Sequence, residues 1–216
     1  MRSSGILMPI FSLPSPYGIG TLGAEGYRFV DFLKKAKQSY WQILPLGPTS
    51  YGDSPYQSFS SFAGNHYFID IDLLINEGLL TKSEAEGSDF GNNNFKIDYE
   101  KLYFGRLPLL KKAFDRFKPN SEYKEFCRVN AEWLDDYANF MALKAENVGK
   151  AWNEWIAKKL PTATRCFFIN FCNSSFFRNG KISRAMQMKT ALKLLVIYPF
   201  MLLWTAWMSG LTRSNF

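Results

Sequence analysis

Residues 39–65, SYWQILPLGPTSYGDSPYQSFSSFAGN, contain the pattern that decides the fold class. A short apolar segment, Tyr40–Leu46, runs into a loop that is dense in Gly, Pro, Ser, Tyr and Phe. The stretch before it, Ala24–Gln38, has apolar residues at three- and four-residue steps, which predicts an amphipathic helix. A helix, a buried strand and a polar loop in this order indicate an α/β fold with the loop at the end of a sheet.

The composition of this loop suits carbohydrate binding. Its flat rings are Tyr51, Tyr56, Phe59 and Phe62, and its hydrogen-bonding side chains are Asp53, Ser54, Gln57, Ser58, Ser60 and Asn65. A sugar has apolar C–H faces and an equator of hydroxyls, so rings and polar groups together can bind it. A surface loop whose aromatic side chains pack inward would have the same composition.

The charge of the chain is distributed unevenly. The 216 residues are 47% hydrophobic and 21% charged, which is typical of a globular protein. Residues 1–155 contain 17 Lys and Arg and 19 Asp and Glu, whereas residues 156–216 contain 9 Lys and Arg and no carboxylate. The chain therefore divides near residue 155. The net acidity of the first part argues against nucleic-acid binding.

The sequence lacks the motifs that several kinds of binding site and active site require. The three cysteines lack metal-type spacing to histidine, which predicts reduced thiols, a cytosolic location and no metal site. The start of the chain is not a signal peptide, and neither a P-loop nor a G-x-G-x-x-G motif that follows a strand is found. His66 is the only histidine and has no G-x-S-x-G partner, so no Ser-His-Asp triad is expected. The carboxylates near the loop and beyond it are expected to be solvated or capping groups, namely Asp53, Asp70, Asp72, Asp135 and Asp136.

The remaining local patterns predict mostly helix. Asn65–Leu73 is short and ambiguous in period, and we interpret it as extended. The sequence from Thr81 to Glu84 fits a helix-capping box. Tyr99–Phe117 has helical spacing around an internal proline, and Ser121–Asn147 predicts one long helix capped by Ser121.

Four runs of sequence resemble the start of the 4-α-glucanotransferases, the amylomaltase or disproportionating-enzyme family (glycoside hydrolase family 77). They are Arg2–Leu7 (RSSGIL), Ser12–Gly20 (SLPSPYGIG), residues 39–65 and Trp133–Lys144 (WLDDYANFMALK). The resemblance implies a (β/α)₈ TIM barrel with a helical insertion. Residues 1–155 would be its incomplete N-terminal part, with the insertion at about 75–155. It also implies transfer of α-1,4-glucan segments between maltooligosaccharides by retaining double displacement, without a cofactor.

The resemblance carries over to individual residues only in the loop. Tyr51, Asp53, Ser54, Tyr56 and Gln57 match the loop that lines the family's donor-sugar cleft, which implies ring stacking and recognition of sugar hydroxyls. The family's nucleophile Asp and acid/base Glu match no position of this chain, so no catalytic residue is assigned. We therefore expect the chain to be inactive as a transferase. A non-catalytic glucan-binding fragment is the alternative function.

The tail supports two interpretations. Ala191–Leu211 is a 21-residue run with a single charge, Lys193, which fits the length and polarity of a transmembrane anchor. However, codons can be chosen for Arg178–Phe216 that give a different protein sequence when each third base is read with the next two bases. One permitted choice gives a family-like strand, GIKIIGDIPIYV. We therefore expect the chain from about residue 156–166 onward to be translated out of frame, with no native domain in residues 156–216 and no membrane association.

Overall fold

The described residues contain a three-stranded parallel sheet, whose middle strand carries the buried side chains. The structure, a computed structural model, describes residues 2–49, 51–91, 95–155, 162–190 and 192–196, with the backbone alone for Tyr51 and residues 181–190. The strands are β1 (Gly5–Leu7), β2 (Tyr40–Ile43) and β3 (Lys193–Val196), in the order β1-β2-β3. Parallel neighbours need a crossover connection, and helix α1 (Ala24–Lys35) makes the one between β1 and β2.

The predicted helix and strand that precede the loop are confirmed, each slightly shorter than expected. Trp41 on β2 is 1% exposed, and its Nε1 donates to the Met8 carbonyl at 2.8 Å. Phe29 of α1 packs edge-on against Trp41, with the ring centroids 5.0 Å apart. Lys34 and Lys35 end α1, where their charges favour the negative end of the helix dipole.

Six further helices follow β2 among the described residues. They are α2 (Ile71–Asn76), α3 (Lys82–Glu86), α4 (Tyr99–Arg116), α5 (Ser121–Val129), α6 (Ala131–Glu146) and α7 (Ala163–Thr190). Single 3₁₀ turns occur at Ile10–Ser12, Tyr51–Asp53, His66–Phe68 and Trp152–Glu154. The predicted capping box is confirmed at the start of α3, and α4 is a helix with Pro108 inside it, as expected.

The interpretation of Asn65–Leu73 as extended is wrong, because this stretch forms a 3₁₀ turn followed by α2. Side chains cap both elements. Asn65 Oδ1 accepts from the Tyr67 N–H at 2.9 Å, and Asp70 Oδ1 accepts from the Leu73 N–H at 2.9 Å. Such local bonds satisfy the free N–H groups at a helix start, and they outweigh a weak alternation of apolar residues.

The single helix predicted over Ser121–Asn147 is interrupted at Asn130, which separates α5 from α6. Asn130 Nδ2 donates to the Phe126 carbonyl at 2.8 Å, so the side chain satisfies the end of α5. The N-cap of α5 is Asn120, one residue before the predicted Ser121, and its Oδ1 accepts from the Tyr123 N–H at 2.8 Å.

Helix α7 packs against α1, α4, α5 and α6 and closes the core. Its residues Phe171, Phe176 and Phe177 are buried. Two of its amides bond to the first part of the chain, since Asn173 Oδ1 accepts from the Gly64 N–H and Asn179 Oδ1 from the Asp70 N–H. The division of the chain near residue 155 stays a prediction.

Most of the apolar run Ala191–Leu211 lies outside the described residues, as do residues 156–161 of the expected frame change. The described part of the run contains β3, which pairs with β2. Within the part of the chain that the structure describes, no helix is long and apolar enough to span a bilayer.

Candidate functional site

The loop that follows β2 is folded tightly back on itself. The Asn65 N–H donates to the Leu46 carbonyl at 2.8 Å and closes the loop at its base. Thr49 and Ser58 form an antiparallel bridge within it. Gly47 lies against this bridge, where a Cβ would be 2.6 Å from Ser58 Oγ, so a larger residue would push the two sides apart.

Serine side chains hold the second half of the loop. Ser58 Oγ donates to the Ser60 carbonyl at 2.8 Å. Ser60 Oγ accepts from the N–H groups of Phe62 and Ala63, each at 3.1 Å. These bonds satisfy backbone groups that have no strand partner, and they give a Gly/Ser-rich segment a defined shape.

Asp53 is the acidic group of the loop and is held in an unusual backbone conformation. Its φ is 53°, directly after Gly52 at 77°, and a left-handed non-glycine residue stores strain of the kind found at binding sites. Burial raises the pKa of the half-buried Asp53 carboxyl. Burial and the charge of Asp53 raise the pKa of Tyr67 to about 12, and the same two causes raise that of Tyr99. One carboxylate therefore lies within electrostatic reach of two phenols.

The described backbone brings the predicted sugar-binding residues together on one short turn. Ser54 Oγ accepts from the Tyr56 N–H at 3.3 Å, and the Gln57 N–H donates to the Ser54 carbonyl at 3.1 Å. Tyr56 is 53% exposed and Gln57 is also exposed, so both are accessible to a ligand. Tyr51 begins the same turn, and its side chain lies outside the described part.

Sequence reasoning did not find the residues behind the loop. Phe62 stacks on Trp133 of α6 with the ring centroids 5.9 Å apart. Phe59 packs against Phe140 at 6.3 Å, and Lys144 Nζ lies 4.8 Å from the centre of the Phe59 ring. These α6 residues follow the loop by about eighty positions in the sequence, and no local pattern links the two segments. The helical spacing predicted over Ser121–Asn147 includes Trp133 and Lys144, but it does not indicate which segment they contact.

A buried arginine joins three segments beneath the site. Arg106 of α4 is wholly buried and donates to the carbonyls of Tyr17, at 3.3 Å, and Ile69, at 2.5 Å. Burial lowers the pKa of Arg106 to about 10. Burial, with the charge of Arg106, lowers the pKa of His66 to about 4, so the imidazole is neutral near pH 7. His66 is therefore suited to packing rather than to proton transfer at neutral pH.

The carboxylates that follow the loop have structural partners. Asp70 is buried and accepts from the Thr21 hydroxyl at 2.6 Å as well as capping α2. Asp72 accepts from the Tyr17 hydroxyl at 2.5 Å. Cys127, Cys166 and Cys172 are free thiols. Within the described ranges, no group of three His, Cys, Asp or Glu residues is arranged to hold a metal ion.

The family model for 4-alpha-glucanotransferase matches residues 8–176 of the chain. This chain belongs to the 4-α-glucanotransferase family. The match includes the whole loop, α4 to α6 and the first half of α7. The family resemblance inferred from the four sequence runs is thereby confirmed.

The curated relatives are much longer than the aligned region. A 4-alpha-glucanotransferase of Streptococcus pneumoniae is 54% identical over 157 residues, which cover 71% of this chain and 31% of that protein. The enzyme of Clostridium butyricum is 51% identical over 150 residues, covering 68% and 31%. That of Thermus thermophilus is 48% identical over 160 residues, covering 71% and 31%. The chain thus spans about a third of the length of these relatives.

A solved structure gives the fold directly. The amylomaltase from Streptococcus agalactiae in complex with acarbose superposes with a TM-score of 0.84 at 35% sequence identity, covering 91% of this chain and 43% of that one. The expected fold class is therefore confirmed: the parallel sheet and its helices form part of a (β/α)₈ barrel.

Proposed function

We propose that this chain carries one side of the donor-glucan cleft of a 4-α-glucanotransferase. The observation that carries the proposal is the position of Asp53. Its half-buried carboxylate lies near Tyr67 and Tyr99, on the same turn as the exposed Tyr56 and Gln57. A carboxylate can accept two sugar hydroxyls, and an exposed ring on the same loop can stack on the apolar face of a glucose unit.

The comparisons support an α-glucan as the ligand class, because the similar amylomaltase structure was solved with acarbose. The reaction that we propose for the full-length proteins of this family is transfer of α-1,4-glucan segments between maltooligosaccharides by retaining double displacement. It needs no cofactor, and a cytosolic location is part of the proposal. Retention requires two carboxyl groups about 5–5.5 Å apart across the bond that is broken.

We further propose that this chain alone binds glucan without transferring it. The family's nucleophile and acid/base match no residue here, and the chain spans 31% of its longer relatives. The test is disproportionation of maltotriose by the purified 216-residue chain, followed by chromatography of the products. We expect no glucose and no longer oligosaccharide above the enzyme-free control. Their appearance would refute the proposed inactivity.

Binding itself is tested with maltoheptaose by calorimetry on the full chain. Tyr56→Ala is expected to weaken binding about fivefold, because it removes one stacking face. Tyr51→Ala is expected to act in the same direction. Phe32→Ala is the matched control, since Phe32 is a 54% exposed ring on α1, outside the loop. Unchanged affinity in both tyrosine variants would count against this use of the loop.

The frame change expected within residues 156–166 remains part of the proposal. It rests on the absence of carboxylates after residue 155 and on the family-like strand that shifted codons permit. The nucleotide sequence across codons 150–216 decides it. Codons that encode the glycine–aspartate–isoleucine–proline segment in the shifted frame would support the proposal, and codons incompatible with that segment would refute it.

A further inference from the structure

A row of aromatic rings leads from the loop along α6 to a turn that carries an exposed tryptophan. Phe59 contacts Phe140 with ring centroids 6.3 Å apart, and Phe140 contacts Trp155 at 5.4 Å. Trp152 precedes Trp155 by three residues across the 3₁₀ turn Trp152–Glu154. The Trp155 N–H donates to the Trp152 carbonyl at 3.4 Å across this turn. Trp152, at the start of the turn, is 75% exposed.

The segment that carries this tryptophan is anchored. Trp155 Nε1 donates to the Lys150 carbonyl at 3.0 Å. Lys144 Nζ donates to the Gly149 carbonyl at 2.7 Å while it lies over the Phe59 ring. A single ammonium group therefore links the loop ring to the turn that precedes the tryptophans. The backbone of the turn that carries Trp152 is therefore held to the loop through Lys144 and Trp155.

Phe59 and Trp152, at the two ends of this segment, are both exposed large apolar side chains. Several such side chains in one region, unlike a single one, commonly mark a binding surface. The neighbours favour a sugar over a protein partner. Asn153 and Glu154, both exposed, place hydrogen-bonding groups beside the indole. The core of a protein–protein interface is depleted in charged residues. A sugar needs such polar groups next to a flat face.

We propose that Trp152 is an outer stacking platform for an α-1,4-glucan, continuing the path that begins at Tyr56 and passes Phe59. The inference rests on the proposed function and deepens it, since it assigns to this chain a subsite for the distal units of a long glucan. Short glucans would contact only the loop, and longer ones would reach Trp152. Affinity should therefore rise with chain length.

The test compares maltotriose and maltoheptaose binding to the full chain by calorimetry. Trp152→Ala is expected to weaken maltoheptaose binding about fivefold and to leave maltotriose binding unchanged. Trp152→Phe, which keeps a ring, should recover most of the loss. Phe32→Ala should bind both sugars like the unaltered chain. Circular dichroism checks that each variant is folded.

The outcomes separate this inference from the function on which it rests. If the unaltered chain binds neither sugar, the proposed function fails and this inference fails with it. If the unaltered chain binds maltoheptaose and Trp152→Ala binds it equally well, only the inference is overturned. Loss of self-association in Trp152→Ala with unchanged glucan affinity, measured by sedimentation, would assign the indole to a protein interface and would also overturn it.

Discussion

Replacing Phe176 with alanine tests whether α7 packs over the base of the loop that follows β2. The ring is 2% exposed and lies edge-on to Phe177 with the centroids 5.2 Å apart. Truncation of a buried phenylalanine removes its contacts and leaves a cavity, which costs about 3–5 kcal/mol of the free energy of unfolding. Arg165→Ala is the control on the exposed first turn of the same helix and should change stability by no more than about 0.5 kcal/mol.

Gly64 adds a second, independent measurement of the same contact. A Cβ at this position would be 2.0 Å from Phe176 Cδ1, so the ring would have to move. Forcing a larger residue into a packed core costs about 1–3 kcal/mol. In the Phe176→Ala background that space is free, and the Gly64→Ala penalty should fall almost to zero. The double-mutant cycle should therefore show a coupling of about 1–3 kcal/mol.

The assay is urea unfolding of the full chain, followed by tryptophan fluorescence, with stability taken from the midpoint at a common slope. If Phe176→Ala costs less than about 1 kcal/mol, or if Gly64→Ala costs the same in both backgrounds, α7 does not pack on the loop as described. The expected coupling would make α7 a structural support of the loop that follows β2.

Three further perturbations test the surroundings of the site. The pKa of His66 is about 4 in the folded chain, against an ordinary value of 6.5, so protonation of His66 should destabilise the fold as pH falls from 6.5 to 4, by about 3 kcal/mol. The difference in urea stability between the unaltered chain and His66→Gln should change with pH by this amount. An equal pH dependence of stability in both proteins would refute the prediction. Asp70→Ala should cost about 3 kcal/mol in the same assay, because it removes the α2 cap and leaves the buried Thr21 hydroxyl unpaired; a cost within experimental error would contradict this. Ser60→Ala frees two loop N–H groups, including that of Phe62, and should weaken maltoheptaose binding about fivefold while the circular dichroism spectrum is unchanged; unaltered affinity would show that these bonds do not shape the site.

The parts of the fold that sequence reasoning predicted are those determined by local physics. Helix α1 follows from its apolar period, and α3 from a capping box whose residues lie three apart. The errors arose where side chains bond to the backbone within a few residues. Asn65 and Asp70 start helical turns where alternation suggested a strand, and Asn130 ends a helix whose apolar period continues beyond it.

Only the part of the candidate site that lies in the loop after β2 was predicted from the sequence. Asp53 and Tyr56 could be named because they lie in one dense loop with a family-like sequence. The rings and the ammonium that support this loop come from α6, and only the tertiary fold brings Trp133 and Lys144 against Phe62 and Phe59. A contact of that sequence separation has no local signal, since periodicity reports which face of a helix is apolar but not what covers it.

The proposed frame change and the packing of α7 are compatible because of the genetic code. Phenylalanine codons begin with TT and cysteine codons begin with TG. In the shifted frame, the third base of one codon is read with the first two bases of the next. When that third base is a pyrimidine and the next two are TT or TG, the shifted codon encodes Phe or Leu. Positions 167, 171 and 176 precede Phe168, Cys172 and Phe177, so each is apolar in either frame. An out-of-frame helix would thus keep hydrophobic side chains at positions 171 and 176, which are buried here. One of its buried amides, that of Asn173, bonds to the loop. A shifted segment can therefore occupy the place of the family's helix, which is why stability measurements cannot replace the nucleotide sequence as the test of the frame.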